Sequence, residues 1–274
     1  MITFQPDLAF HKRLSSYMDK VDHVYIVDNS EPATKFDRSL LNNQKITILS
    51  SGTNKGIAER LNQVADIAIK AGYQWLLTMD QDSYFMEEQI SAYLEYAIED
   101  PQRDQVAMFG VETTRRPELI TNLQEPVDRL ITSGSLLNLS LFKQVGPFDE
   151  NLFIDEVDHE YCYRAILKSF KIILFTHIFL EHQLGQDKQV KTLKGGIKTA
   201  SFHSPLRLYY MVRNFLYVRH QYKNDFQADL KLRGTGLMHR LKNNLLYGHS
   251  KWETLKMVLL AVRDYSKHQM GKKR

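Results

Sequence analysis

The 274-residue sequence holds a single cysteine, Cys162. No internal disulfide can form, and one chain cannot build a thiolate metal cluster. That scarcity favours a reducing compartment. No apolar run reaches the ~18–20 residues that a helix needs to cross a bilayer. The N-terminal Met1-Ile2-Thr3-Phe4-Gln5-Pro6-Asp7 lacks the basic segment followed by an apolar one that marks a signal peptide. These absences lead to the expectation of a cytoplasmic globular protein. No internal repeat is visible either. A composition of 43% hydrophobic and 25% charged residues excludes disorder and low complexity. The length suits one large domain, or one domain with an appendage.

What is present is unevenly distributed. From residue 201 onward there are 15 Lys and Arg against 4 Asp and Glu, a net of +11, so the whole-chain charge of +4 leaves −7 on the first 200 residues. An acidic body with a basic tail implies a polyanionic partner for the tail: an anionic membrane surface, a phosphorylated lipid or nucleic acid. The plainer alternative is a lysine-rich solvated helical face. No nucleic-acid-binding module is recognisable, so nucleic acid is set aside.

Along the first half, short apolar runs alternate with helical periods. Val24–Val27 is β-branched and aromatic and stops at Asp28-Asn29-Ser30; Ile46–Leu49 stops at Ser50-Ser51-Gly52. Asn54 stands where it can cap a helix with apolar positions Ile57, Leu61, Val64, Ala65, Ala68 and Ile69, ending at Gly72. Trp75–Met79 is a third strand, 86–99 a helix before Pro101, and Val106–Val111 a fourth strand. This β-α-β-α-β rhythm predicts an open, mainly parallel sheet flanked by helices. Ligands in such sheets bind beyond the carboxyl ends of the strands. The second half is less regular. Residues 112–130 read as loop or short strands, 155–169 as a helix and Lys171–Phe175 as a strand. Gly185–Thr199, with three glycines and four lysines, reads as a mobile basic loop. Helical patterns follow from Pro205, over 236–247 and over 251–268.

Five features carry chemistry. Asp80-Gln81-Asp82 directly follows the Trp75–Met79 strand. Two carboxylates at i and i+2 make a site for a hard cation, Mg²⁺ or Mn²⁺, which keeps coordination positions for phosphate oxygens. A solvated acidic turn is the bland alternative. Haloacid-dehalogenase-type phosphatases also carry Asp-x-Asp, but on the first strand and without a Tyr such as Tyr84 at the fifth position. Asp28, at a strand end, suits a base or ribose hydroxyl, or else simply forms an Asp-Asn-Ser turn. Gly52-Thr53-Asn54-Lys55-Gly56 opens a helix with backbone N–H groups and a lysine suited to an anion, although P-loop spacing is absent. Asp149, Glu150, Asp155, Glu156, Asp158 and Glu160 form an acidic cluster; crowding should raise their pKa values and suit one of them to be a general base. A helix N-terminus enriched in acid explains Asp155 and Glu156 well, but Asp158 and Glu160 less well. His182, after a strand, is a candidate metal ligand or a structural histidine.

In order, these segments resemble a known family: Val27-Asp28-Asn29-Ser30, Asn54-Lys55-Gly56-Ile57-Ala58, Leu77–Ser83, Thr132-Ser133-Gly134-Ser135, Gly146–Glu150, Phe153–Tyr161 and His182. The ensemble resembles glycosyltransferase family 2, with its GT-A fold, and within it the bacterial rhamnosyltransferase and galactofuranosyltransferase branch, over roughly residues 3–216. The resemblance implies a metal-dependent, inverting transfer of a sugar from a dTDP or UDP donor to a saccharide or lipid-linked saccharide, in cell-surface polysaccharide synthesis. It implies that Thr3, Phe4, Asp28, Asn54, Lys55 and Gly56 line the nucleotide pocket. Asp80 would touch ribose or metal, Asp82 would ligate Mn²⁺ or Mg²⁺, and His182 would complete the metal site. Asp158, six residues before Arg164, would be the catalytic base. Ser133, Gly134 and Glu160 would serve the acceptor.

The expected layout is a catalytic domain over 1–200, with the nucleotide-sugar half at about 1–110 and the acceptor half at about 111–200. A basic amphipathic helical segment over 201–274 would follow, docked on the inner face of the membrane or pairing with a second copy. Family members usually have more apolar residues before the segment matching Thr3-Phe4-Gln5-Pro6-Asp7. Val157 stands where the galactofuranosyl branch often has a second Asp, which tilts the donor towards a rhamnosyl type over a galactosyl, galactofuranosyl or glucosyl one. A nucleotidyltransferase or phosphatase using Asp80 and Asp82 is the nearest rival. A catalytically silent nucleotide-binding scaffold is the rival of another class.

Overall fold

The structure, a computed structural model, describes residues 1–37, 40, 42–86, 88–113, 123–182, 188–191, 195–200 and 202–273. Two compact units emerge: Met1–Glu150 with Val157–Gln183, and Asn151–Glu156 with Leu184–Arg274.

In the first unit, β1 (Ile2–Thr3), β2 (Val24–Asp28) and β3 (Ile46–Ser50) form a parallel sheet. Ile26 and Val27 have no exposure, as expected of a strand covered on both faces. Between them run α1 (Phe10–Met18) and, after β3, α2 (Ile57–Lys70). The cap of α2 is Gly56, at φ 88°, and not Asn54. Asn54 acts one step earlier: its side-chain oxygen accepts from Gly56 N at 3.0 Å. Gly72, at φ +86°, ends the segment as expected.

The second sheet holds β4 (Trp75–Thr78), β5 (Ser83–Phe85), β6 (Val106–Glu112), β7 (Gln124–Pro126), β8 (Ser135–Asn138) and β9 (Lys171–His182), in the order β4-β8-β6-β9-β5 with β7 also on β9. An isolated parallel bridge between Ile2 and Asp80, with Ile2 N donating to Met79 O at 3.3 Å, joins β1 to the end of β4. The parallel pairing continues in β6 and β9, but β8 lies antiparallel between β4 and β6. Helices α3 (Gln89–Glu99), α4 (Leu139–Val145) and α5 (Val157–Leu167) complete this unit. Tyr93 of α3 is fully buried and donates its hydroxyl to Phe109 O on β6 at 3.0 Å. β9 runs seven residues past the expected Lys171–Phe175, because its second half pairs with β5.

The second unit has a two-stranded antiparallel ribbon, β10 (Lys188–Lys191) and β11 (Ile197–Ala200). This ribbon stands where a mobile loop is expected over Gly185–Thr199; residues 185–187 and 192–194 of that stretch lie outside the described ones. Three helices follow: α6 (Pro205–Tyr222), α7 (Gln227–Tyr247) and α8 (Lys251–Ser266). Ser204 caps α6, its hydroxyl accepting from Arg207 N at 3.2 Å, with Pro205 in the first turn. Among the described residues, no helix is long and apolar enough to cross a membrane.

Candidate active site

The site begins where β1 and β4 end side by side. Asp80 and Asp82 are both half-buried. Gln81, between them, staples the motif to β1: its amide oxygen accepts from Phe4 N at 2.7 Å and its amide nitrogen donates to Phe4 O at 3.0 Å. The buried Arg13 of α1 donates from Nε to Gln81 O at 2.6 Å and pairs with Asp7. Thr3 is fully buried and Phe4 is exposed. Burial, and then the negative charge of Asp80, push the Tyr17 phenol above its ordinary pKa. The register of β5 and β9 sets His182 opposite Ser83, the residue after Asp82. His182 is described through its backbone alone. Among the described residues, no three His, Cys, Asp or Glu side chains form a metal cluster. The donor types fit all the same: two carboxylates two residues apart, with an imidazole-bearing position on the adjoining strand, suit Mn²⁺ or Mg²⁺.

One loop connects this edge to the head of α5. Gly134 N donates to Thr78 O at 2.8 Å, and the Thr78 hydroxyl donates to Ser135 O at 3.0 Å. The buried Ser133 hydroxyl accepts from Asp80 N at 3.2 Å. Next to it, Thr132 N donates to Asp158 Oδ2 at 3.2 Å. Asp158 thus lies one loop away from Asp80. Its other oxygen accepts from His159 N at 2.9 Å, and the side chain is 17% exposed. Gly134 is at φ +77°, and a Cβ there would stand 2.8 Å from Val111 and 2.9 Å from Leu180. Ser133 and Gly134, expected to shape an acceptor pocket, both lie in this loop.

The acidic cluster is not a set of repelling carboxylates. Arg207 pairs with Asp155, Arg233 with Glu156, and Arg164 with Glu160. Both oxygens of buried Glu160 are held by Arg164 at 2.8 Å, and Arg164 also donates to Val145 O and Pro147 O. Glu160, expected to serve the acceptor, thus also anchors α5 to the preceding turn. Within 155–160, Asp158 is the acid held by backbone N–H groups instead of an arginine.

The residues expected on the nucleotide side include a group at the ends of β2 and β3. Asp28 has no exposure. Its carboxylate accepts from Ser30 N, Thr34 N, Thr34 Oγ1 and Ser50 Oγ at 2.7–3.1 Å. Burial pushes this carboxyl up, but those hydrogen bonds outweigh it and hold it below the usual carboxylate range. A ribose or base reaching Asp28 would have to displace one of these donors. Lys55 N donates to the Asn29 side chain at 2.8 Å, while Lys55 Nζ pairs with Glu59 at 2.7 Å in the open. Arg60 of α2, 1% exposed, binds the Asn29 side chain, Ser51 Oγ and Thr53 O, and so ties the two strand-end loops together.

A scan against protein-family models finds no match. Over 251 residues, however, the chain is 30% identical to the dTDP-rhamnosyl transferase RfbF of Shigella flexneri, a span covering 85% of this chain and 82% of that protein. The chain belongs to glycosyltransferase family 2. Solved structures agree on the fold. S. aureus TarS 1–349, in complex with UDP-GlcNAc, superposes with a TM-score of 0.59 at 15% identity, over 96% of this chain and 78% of that one. GalNAc-T7 with UDP, GalNAc and Mn²⁺ gives 0.56 at 10% identity, over 98% of this chain and 56% of that one. This glycosyltransferase therefore has the GT-A fold.

Three residues of the glycosyltransferase's site went unread in its sequence: Arg13, Arg60 and Gln81. Arg13 and Arg60 did leave a signal. Each is a cation on the apolar face of an amphipathic helix, beside Phe10 and Leu14 or Ile57 and Leu61, where only a partnered charge survives. Gln81 left none, because its partner, Phe4, is 77 residues away.

Proposed function

We propose that this enzyme transfers a rhamnose-type sugar, with inversion, from a dTDP donor to a saccharide or lipid-linked saccharide acceptor. The observation that carries the reading is the Thr132–Ser133 loop, which binds Asp158 on one side and Asp80 on the other. Asp158 takes the proton of an acceptor hydroxyl. The oxygen attacks the anomeric carbon, the bond to the diphosphate breaks on the opposite face, and the nucleoside diphosphate leaves. Asp80, Asp82 and His182 would hold Mn²⁺ or Mg²⁺, which neutralises charge on the leaving diphosphate when bound. The loops at Asn29, Asn54–Gly56 and Thr3–Phe4 form the nucleotide side, with Asp28 and Arg60 shaping them from beneath. The relative's dTDP-rhamnosyl activity favours dTDP over UDP.

The enzyme works on the cytoplasmic face of the membrane, resting on α8. That helix is apolar on its solvent side: Trp252 is 84% exposed and Leu259 63%, with Leu255 and Val262 in the same stripe. Lys251, Lys256, Arg263 and Lys267 flank the stripe. A helix with an apolar solvent face edged by cations suits an anionic leaflet.

Thermal stability in the presence of dTDP, UDP and GDP, each with and without Mn²⁺, tests the donor site. A Mn²⁺-dependent rise with dTDP, lost in Asp82→Ala, is expected, together with loss of transfer in Asp158→Asn at unchanged melting temperature. No rise with any nucleotide, or full activity in both variants, overturns the reading.

A further inference from the structure

The residues that lead into α5 hold an uncommon backbone. Asp155 and Glu156 both lie in the left-handed region, at φ 65° and 71°. Glycine adopts that conformation freely, whereas a side chain with a Cβ is strained there. Two consecutive cases persist only where the surroundings over-determine them, and such strain gathers at functional sites.

The surroundings come from the second unit, to which Asn151–Glu156 belongs. Arg207 of α6 grips Asp155 with both arms of its guanidinium, Nε and Nη2 each at 2.7 Å from a carboxylate oxygen. Arg233 of α7 pairs with Glu156, the two side chains being 8% and 11% exposed. Asn214 of α6, fully buried, donates its amide to Ile154 O at 2.7 Å and to Asp155 O at 3.3 Å. Arg233 also lies over the Phe215 ring, 5.8 Å from its centroid. Forked guanidinium contacts fix direction as well as charge. Two side chains and two carbonyls of a single turn are thus held from two helices. Peptide bonds then carry that turn straight on: Glu156 joins Val157, the first residue of α5, and Asp158 is the second.

We propose that Arg207, Arg233 and Asn214 are positioning residues for catalysis: they hold the left-handed Asp155–Glu156 turn from which the chain delivers Asp158. The inference rests on the reading of Asp158 as the base. It gives the basic helical segment a role in the chemistry, separate from any role at a membrane, and it explains why two acids stand where glycine would be unstrained. With glycine the turn would be permitted; with an acid clasped by arginine it is enforced.

The test compares full-length variants by release of dTDP from dTDP-rhamnose with water as acceptor, alongside melting temperature. Arg233→Ala is expected to lower kcat at least tenfold while KM for dTDP-rhamnose stays within twofold. Adding Glu156→Gly to Arg233→Ala should return kcat to within about threefold of the parent, because glycine takes φ 71° without an anchor. Adding Glu156→Val instead should not, although both double variants lack the same ion pair. A purely structural role for the pair would make the Gly and Val doubles alike, and equal rates in those two would overturn the proposal. So would an undiminished kcat in Arg233→Ala when Asp158→Asn is inactive. An active Asp158→Asn would instead bring down the base assignment, and this inference with it.

Discussion

At the scale of single residues, backbone conformation and burial decide more than residue type. Gly134 is required twice over, by its φ of +77° and by Val111 and Leu180 closing on the position of its missing Cβ. Gly134→Ala should cost about 2–4 kcal/mol, from left-handed strain together with overpacking. Urea unfolding measures this, and a loss below about 1 kcal/mol would contradict the packing described. Asp28 makes a pH prediction. Its folded pKa is lowered, so the stability it contributes is present above its unfolded value of about 4 and is lost as pH falls through the folded value. Urea melts from pH 7 down to 3.5 should show a smaller acid loss in Asp28→Asn than in the parent. Parallel curves would mean that the hydrogen bonds to Asp28 carry no linkage. Glu160 teaches the complementary lesson. Its i, i+4 spacing to Arg164 went unread in the sequence, and the buried fork the pair makes is the structural outcome that spacing allows.

At the scale of elements, strands and helices with strong periodicity were legible and their pairings were not. β2, β3, β4, β6 and α2 lie within a residue or two of the expected spans, because apolar period and glycine or Asp-Asn-Ser stops are local signals. The antiparallel insertion of β8, the long β9 and the β10–β11 ribbon depend on partners far along the chain. Nothing in a short window encodes them. The same scale carries the membrane prediction. The packed side of α8 presents Thr254, Ala261 and Asp264, while Trp252, Leu255, Leu259 and Val262 face outward. Burying a Trp or Leu side chain contributes about 1.5–3 kcal/mol. Trp252→Ser with Leu259→Ser should therefore reduce flotation with phosphatidylglycerol-containing liposomes at least tenfold, leaving circular dichroism unchanged. Undiminished flotation, or none by the parent protein, would remove α8 as the docking face. A concentration-dependent dimer abolished by the same changes would assign the stripe to a second copy.

At the scale of the whole molecule, charge is divided with the architecture, −7 over the first 200 residues and +11 over the rest. Liposome binding should accordingly weaken steeply between about 0.05 and 0.5 M salt, as screening shortens the reach of surface charge, whereas nucleotide binding in a half-buried site should change little. Salt-independent flotation would leave only the apolar stripe to explain it. The sequence alone was enough to determine the alternation of strands and helices, the carboxylates at the end of β4, the basic tail and the family resemblance, since each is written in neighbouring residues or in the order of short motifs. Only the tertiary structure decided which acids pair with arginine. Arg164, Arg207 and Arg233 claim Glu160, Asp155 and Glu156, while backbone N–H groups receive Asp158. It also decided that Gln81 and Arg13 fasten the Asp80–Asp82 loop. The physical reason is range. Propensity and periodicity act over a few residues, whereas the burial and partnering of a charge depend on which distant segments the fold brings against it.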